Sequence, residues 1–405
     1  MIESPSYGAL LRVGGFPALV GGILFARIAL YMLQLELVLF VLRDYRSPTL
    51  AGLASFLWIF PGLLISPLAG ALLDRYGRVR LIVLDFIVQA AAFCLLGALS
   101  LAGLLPAWAL LVIVGLASVT SILSLSGGRT LFALMVPPHL WERANAIDSQ
   151  GYVVATLLGP PLAGVLVGTI GGARALLVTT VLMASAAAAV ARVRDVPAVA
   201  VTGSLVSNAR AGLGYVARSA SLRGLAISLT VLNLGVGALA IAQPVLILDR
   251  LHQPPVMVGA CYAFSAGGGL ITGLLAGRLD TRGRERQLLT LCFAVEAAAV
   301  LLLPWAGTIW LVFASSALFG AAVGPADIAF FTLRQRRTDP AWFGRVFAIS
   351  MSLNYAGTPL GSAIAGPLIA WSLTGTLILV ACACTLAAAL PLALIPAEEP
   401  LAVRG

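Results

Sequence analysis

GALLDRYGRVR, from Gly70 to Arg80, returns in altered form as AGRLDTRGRER, from Ala276 to Arg286. Asp74, Gly77, Arg78 and Arg80 of the first copy match Asp280, Gly283, Arg284 and Arg286 of the second, and each copy follows a long apolar run. Two more blocks keep the same order. ERANAI (Glu142 to Ile147) matches GRVFAI (Gly344 to Ile349), and LGPPLAGVL (Leu158 to Leu166) matches LGSAIAGPL (Leu360 to Leu368). All three pairs sit at offsets between 202 and 206 residues, so the chain is an internal duplication whose halves carry the same loop.

The sequence around this repeat is built for lipid. Of 405 residues, 60% are hydrophobic and 10% charged, where a soluble globular chain carries about 25% charge. Runs of bilayer-crossing length are predicted at 14–41, 49–72, 81–105, 107–132, 146–170, 174–193, 224–248, 256–277, 287–304, 308–333, 346–371 and 373–396. No short apolar core with a small-residue cleavage site precedes the first, which is read as a retained signal anchor. Lysine is absent, which excludes a P-loop, a Schiff-base lysine and a kinase-type strand lysine. Cys94, Cys261, Cys292, Cys382 and Cys384 all fall inside apolar runs without metal or redox spacing. No metal or cofactor is expected.

The 25 basic residues are all arginine and they set the topology. With a cytoplasmic N-terminus, nineteen fall in cytoplasmic segments, Arg334 among them, and Arg43, Arg46, Arg174 and Arg250 fall on the other side. Arg27 and Arg129 remain inside the membrane. This asymmetry places both termini in the cytoplasm. The net charge of +9 is thus a topology signal, and no nucleic-acid partner is expected. The longest polar interruption gives the domain reading: a six-helix bundle over 1–193, a cytoplasmic central loop over 194–222 and a second bundle over 223–405.

The doubled Asp-x-x-Gly-Arg loop and the twelve spans resemble the major facilitator superfamily of secondary transporters over essentially the whole chain. Ser47 to Leu81 and Arg143 to Gly164 are similar to the branch holding macrolide exporters and enterobactin-type siderophore exporters. The resemblance implies an all-α membrane protein of two pseudo-symmetric six-helix bundles. It implies a small-molecule substrate, a functional monomer in the bacterial inner membrane, and transport rather than catalysis. It further implies a central cavity lined by spans 1, 4, 7 and 10. Under its pseudo-symmetry, Asp74 faces the start of span 11 near Arg345, and Asp280 faces the start of span 5 near Arg143. A carboxylate suits a helix N-terminus and its dipole, Gly77 and Gly283 permit the tight turn, and Arg78 and Arg284 supply charge. Asp85 and Asp148, just inside the cytoplasmic boundary, are expected to join this gate.

Polar groups at membrane depth are costly unless paired or wetted, which makes each a site candidate. The four cavity spans supply Arg27, Arg129, Asn233 and Asp327. Tyr31 and Gln34 lie within about 40° of Arg27 on its helix and extend the polar stripe. Arg129 and Asp327 are placed to form a salt bridge, and Gly324-Pro325 is read as a helix break beside Asp327. Both histidines, His139 and His252, lie in loops, so coupled protons need a carboxylate: Asp327 first, then Glu36 and Glu296. Glu36 is also expected to pair with Arg43 on its own helix. Gly159, Pro160 and Gly164 are similar to an antiporter signature of the superfamily, with Ala163 in place of its penultimate glycine. An aromatic cavity wall is expected from Tyr31, Trp58, Phe60, Tyr152, Phe264, Phe330 and Tyr355. The reading is a proton-coupled exporter of small amphipathic or anionic molecules. An uptake carrier for an organic anion is the alternative, and a non-transporting scaffold or embedded enzyme is the alternative from another class.

Overall fold

A bilayer leaves no water for the backbone, so a span must satisfy its own N–H and C=O groups, and only helices or closed barrels do so. The apolar runs of this chain accordingly become helices. The structure, a computed structural model, describes residues 7–195, 205–277, 281–339 and 342–397. Asp280 and the side chains of Asp74, Arg129 and Arg345 lie outside the described residues.

Fourteen α-helices are described in chain order: α1 (Tyr7–Leu11), α2 (Phe16–Asp44), α3 (Pro48–Tyr76), α4 (Arg78–Leu101), α5 (Ala107–Met135), α6 (Trp141–Ile170), α7 (Gly172–Val190), α8 (Leu205–Arg218), α9 (Ala220–Val245), α10 (Pro255–Ala276), α11 (Glu285–Leu301), α12 (Ile309–Arg336), α13 (Phe343–Trp371) and α14 (Leu373–Leu394). Eleven of the long ones are apolar enough to cross a membrane along their described residues. The remaining long helix, α13, lies where the eleventh span was expected. No strand is assigned among the described residues. A 29-residue helix such as α2 is about 44 Å long, so its ends run past a hydrocarbon core of about 30 Å and carry interfacial residues inside regular helix.

Two compact units divide the contacts: Met1–Arg43 with Leu57–Thr202, and Asp44–Phe56 with Gly203–Gly405. In the first, α4 packs against α5 and α7. In the second, α9 pairs with α13 and α10 with α12. Glycines bring those backbones together: a Cβ on Gly361 would strike the Leu234 carbonyl, and one on Gly320 the Ser265 carbonyl. The central polar stretch is not loop throughout. Its helix α8 joins the second unit through Tyr215, which stacks on Trp342 at 5.3 Å and accepts a hydrogen bond from the Asp339 N–H at 3.1 Å. Val216, Leu222 and Val346 form a small apolar core beneath it.

The break expected at Gly324-Pro325 does not occur, because α12 runs unbroken through Pro325. A proline removes its own N–H donor and crowds the carbonyl four residues earlier, but close packing at Gly324, where a Cβ would come within 2.8 Å of Gly273, holds the helix against α10.

Candidate functional site

The first unit contains a half-open cavity of about 460 Å³ between α2, α5 and α6 with α1 at its edge. Val20, Ile23, Leu24, Phe132, Ile147 and Val154 give it an apolar wall, into which α2 projects Arg27. One turn of α6 dresses that guanidinium. Nη2 donates to Asp148 Oδ1 at 2.6 Å, Nη1 donates to the Asp148 carbonyl at 2.9 Å, and the Tyr152 ring centroid lies 3.7 Å from Cζ. Gly151 on the same turn leaves the guanidinium room, since a Cβ there would stand 2.9 Å from Nη1 and the arginine tip would have to shift. The two charged side chains are 11% and 15% exposed, so most of their hydration has been exchanged for each other. Such a pair resists loss of one partner far more than its net stability implies. Chemically, the site offers a planar cation backed by an aromatic face and opening on an apolar chamber. That combination suits a ligand with one anionic group and a flat apolar body.

Asp148 therefore pairs within the first unit, with Arg27. The sequence assigned the two residues to different places, one in the cavity and one at the gate. Tyr31 and Gln34 share the Arg27 stripe but do not line this cavity. Tyr31 instead backs the α6 motif: a Cβ on Gly159 would lie 2.6 Å from Tyr31 Cβ. Pro160 lies inside α6, and both Pro160 and Gly164 are buried. Asn233 donates from Nδ2 to the Asn354 carbonyl at 3.1 Å, which joins α9 to α13.

The loop motif has a partner that sequence reading missed. Gly77 adopts φ 93°, a left-handed conformation that glycine takes without strain. The Asp195 carboxylate closes on that turn, accepting from the backbone N–H groups of Arg78 at 3.1 Å and Val79 at 3.3 Å. Asp195 thus caps the N-terminus of α4, where the free N–H groups and the dipole favour an anion. In the second copy Gly283 takes φ 71°, and Arg284 is exposed at the N-terminus of α11. The neighbouring Glu285 is buried and ion-paired with Arg336 at the end of α12. Arg143 lies half-buried in the first turn of α6.

Among the described residues, Glu36 and Asp85 are held by neutral hydrogen-bond donors. Glu36 is fully buried and receives the Thr179 hydroxyl of α7 at 2.8 Å. The expected Glu36–Arg43 pair does not form, because Arg43 reaches the Val167 carbonyl at 2.8 Å instead. A backbone acceptor at the helix end lies nearer the headgroups than a carboxylate two turns deeper. Asp85 is likewise drawn into a polar cluster rather than toward the loop arginines: Thr120 donates to it at 2.7 Å and Gln89 at 3.2 Å. Glu296 on α11 is buried with Oε2 lacking a hydrogen-bond partner, and Asp327 on α12 is within electrostatic reach of it. Asp327 itself is exposed on its helix, with no cation paired to it among the described residues. One arginine counted among the cytoplasmic segments stands inside a helix rather than in a loop. Arg334 lies in the last turn of α12 and is 1% exposed, because that helix runs further than its hydropathy signal.

A model of the Major Facilitator Superfamily matches residues 19–220 and 225–405. An MFS-type transporter of Sinorhizobium fredii, y4rN, is 38% identical over 98% of this chain and 99% of its own length. The multidrug efflux pump Tap of Mycobacterium tuberculosis is 27% identical, covering 81% of this chain and 80% of its own. Macrolide efflux protein A of Streptococcus pyogenes is 21% identical, with 82% and 83% covered. Among solved structures, the nucleoside transporter NupG superposes with TM-score 0.75 at 11% identity, covering 94% of this chain and 98% of that one.

Proposed function

The chain belongs to the Major Facilitator Superfamily of membrane transporters, and from that premise we propose that it is a proton-coupled exporter of small amphipathic or anionic molecules. It is a membrane transporter with efflux pumps among its relatives, and not an enzyme. In the proposed cycle two halves rock about a central site that opens to each side in turn. The site lies in the inner membrane of a bacterium, with both termini cytoplasmic and the monomer as the working unit. The arginine asymmetry supports that orientation.

The observation that carries the reading is the Arg27 cluster on an apolar cavity. An anionic cargo group competes with Asp148 for the guanidinium, while the Tyr152 ring and the apolar wall take the cargo's body. Arg129 and Asn233 are assigned to the same path, as are Tyr31 and Gln34 at its edge. Asp327 carries the coupled proton, with Glu296 and Glu36 as further carriers; that no cation pairs with them among the described residues supports the assignment. The loop copies act as a cytoplasmic gate through Asp74, Gly77, Arg78 and Arg345 in one arm and Asp280, Gly283, Arg284 and Arg143 in the other. Export rather than uptake is favoured by what the relatives' names say those proteins do. Accumulation of labelled erythromycin in cells expressing the protein tests this. Lower accumulation that recovers with a protonophore supports export, whereas energised accumulation overturns it.

A further inference from the structure

The second unit contains a cation whose surroundings are incomplete. The Arg334 guanidinium lies 4.0 Å from the Phe330 ring centroid, 5.2 Å from Phe347 and 5.9 Å from Phe331. Its Nη1 donates to Met351 Sδ at 3.0 Å, and its buried Nε and Nη2 have no hydrogen-bond partner. Among the described residues no carboxylate pairs with it. Ring faces attract a cation, but they accept no N–H bond of normal strength, and a thioether is a weak acceptor. A buried guanidinium in this state lacks the anion that ordinarily offsets its desolvation.

The facing helix shows a matching deficit. Asn354 of α13 is 3% exposed, yet neither side-chain atom of its amide has a partner. It lies about 60° around the helix from Met351, and Tyr355 lies about 40° to the other side. Tyr355 is 55% exposed, so the edge of the cluster reaches open surface. The unmet groups are mostly donors, and the walls are flat rings. Methionine turns about three side-chain bonds, which makes Met351 the most readily displaced group on the guanidinium. The internal repeat adds an independent observation: Arg334 stands 205 residues after Arg129, inside the 202 to 206 offset of the duplicated blocks. Each half thus bears an arginine toward the C-terminal end of the corresponding span, in α5 and in α12.

We propose that Arg334, Asn354 and Tyr355, with Met351 as a displaceable plug, form an anion-binding subsite for the carboxylate or phenolate of an aromatic acid. The inference rests on the reading of anionic cargo and places a second contact for it in the C-terminal unit. The acid group replaces Met351 on the guanidinium and meets the free Nε, Nη2 and Asn354 donors, while its ring lies against Phe330 and Phe347.

The test is equilibrium binding to the purified full-length protein in detergent, read as a saturable rise in melting temperature. Benzoate is the probe, and benzyl alcohol is its neutral counterpart. Benzoate is expected to raise the melting temperature and benzyl alcohol to leave it unmoved. Arg334→Met fills the same space without charge, so it is expected to fold and to bind benzoate at least about tenfold more weakly. Arg334→Lys keeps the charge but loses the planar fork, and is expected to fall between the two. Met351→Ala is expected to bind at least as well as the unaltered protein. Equal benzoate affinity in the unaltered protein and Arg334→Met overturns the proposal, as does equal response to benzyl alcohol. A shift with phosphatidylglycerol in mixed detergent micelles but none with benzoate also overturns it, by assigning the cation to lipid headgroups. Benzoate binding without energised efflux removes the export reading alone, and efflux without benzoate binding removes this subsite alone.

Discussion

Substitution of Arg27 and Asp148, singly and together, gives asymmetric losses that follow from their geometry. Asp148→Asn keeps an acceptor at the Oδ1 position, 2.6 Å from Nη2, and leaves the backbone carbonyl contact at 2.9 Å untouched. It leaves the Arg27 cation without its counter-ion, but the amide oxygen, the backbone carbonyl and the Tyr152 ring still face it, so the cost is expected to be the smaller of the two single losses, about 1 kcal/mol. Arg27→Gln strands a carboxylate that is mostly buried and also removes the cation from the Tyr152 ring. Loss of one partner from a fully buried pair costs about 3–5 kcal/mol; here water in the adjoining cavity lowers this to about 2–3 kcal/mol. The double variant contains no stranded charge and is expected to be about 1 kcal/mol more stable than Arg27→Gln alone. Unfolding of all four proteins in detergent closes the cycle, at about 2–4 °C of melting temperature per kcal/mol for a unit of this size. Single losses that add within about 0.5 kcal/mol in the double variant would show that the two residues are energetically independent and refute the reasoning.

Three other perturbations have equally definite outcomes. Gly77→Ala forces a Cβ into a left-handed turn already occupied by the Asp195 carboxylate; a loss of about 1–3 kcal/mol is expected, with reduced hydrogen-exchange protection in the first turn of α4. Thr179→Val leaves buried Glu36 without its hydroxyl donor and is expected to cost about 1–3 kcal/mol, restored by Thr179→Ser. Equal unfolding midpoints for those two variants would remove the Glu36–Thr179 bond from the energetics of α2 and α7. Asp327→Asn is expected to abolish uphill, proton-driven transport while counterflow continues in part; uphill transport at the unaltered rate would take Asp327 out of the coupling step.

The fold was legible because it is written in long-range composition: apolar runs of bilayer length, arginines clustered between them, and a repeated loop. Those signals average over many residues and survive local error. The pairings were not legible in the same way. Arg27 and Asp148 are 121 residues apart, and helical periodicity gives each a face but no partner. Asp195 follows α7 and shows no motif of its own, so its capping of α4 depends on where the chain returns in space. Glu36 and Arg43 share a face seven residues apart, but each found a nearer partner on another helix. Arg334 was taken for a loop residue because hydropathy falls before a helix ends, and aromatic neighbours were able to bury its charge. Pro325 misled for a related reason, since neighbouring packing preserves a helix that propensity alone would break.

Transport in everted membrane vesicles tests the proton-coupled export reading most directly. Vesicles containing the protein, energised to an acidic interior, should accumulate labelled benzoate, an acid that an acidic interior does not trap, lose it on addition of a protonophore, and fail to accumulate it with Asp327→Asn. Accumulation indifferent to the proton gradient, or accumulation that occurs only in right-side-out vesicles, would contradict proton-coupled export.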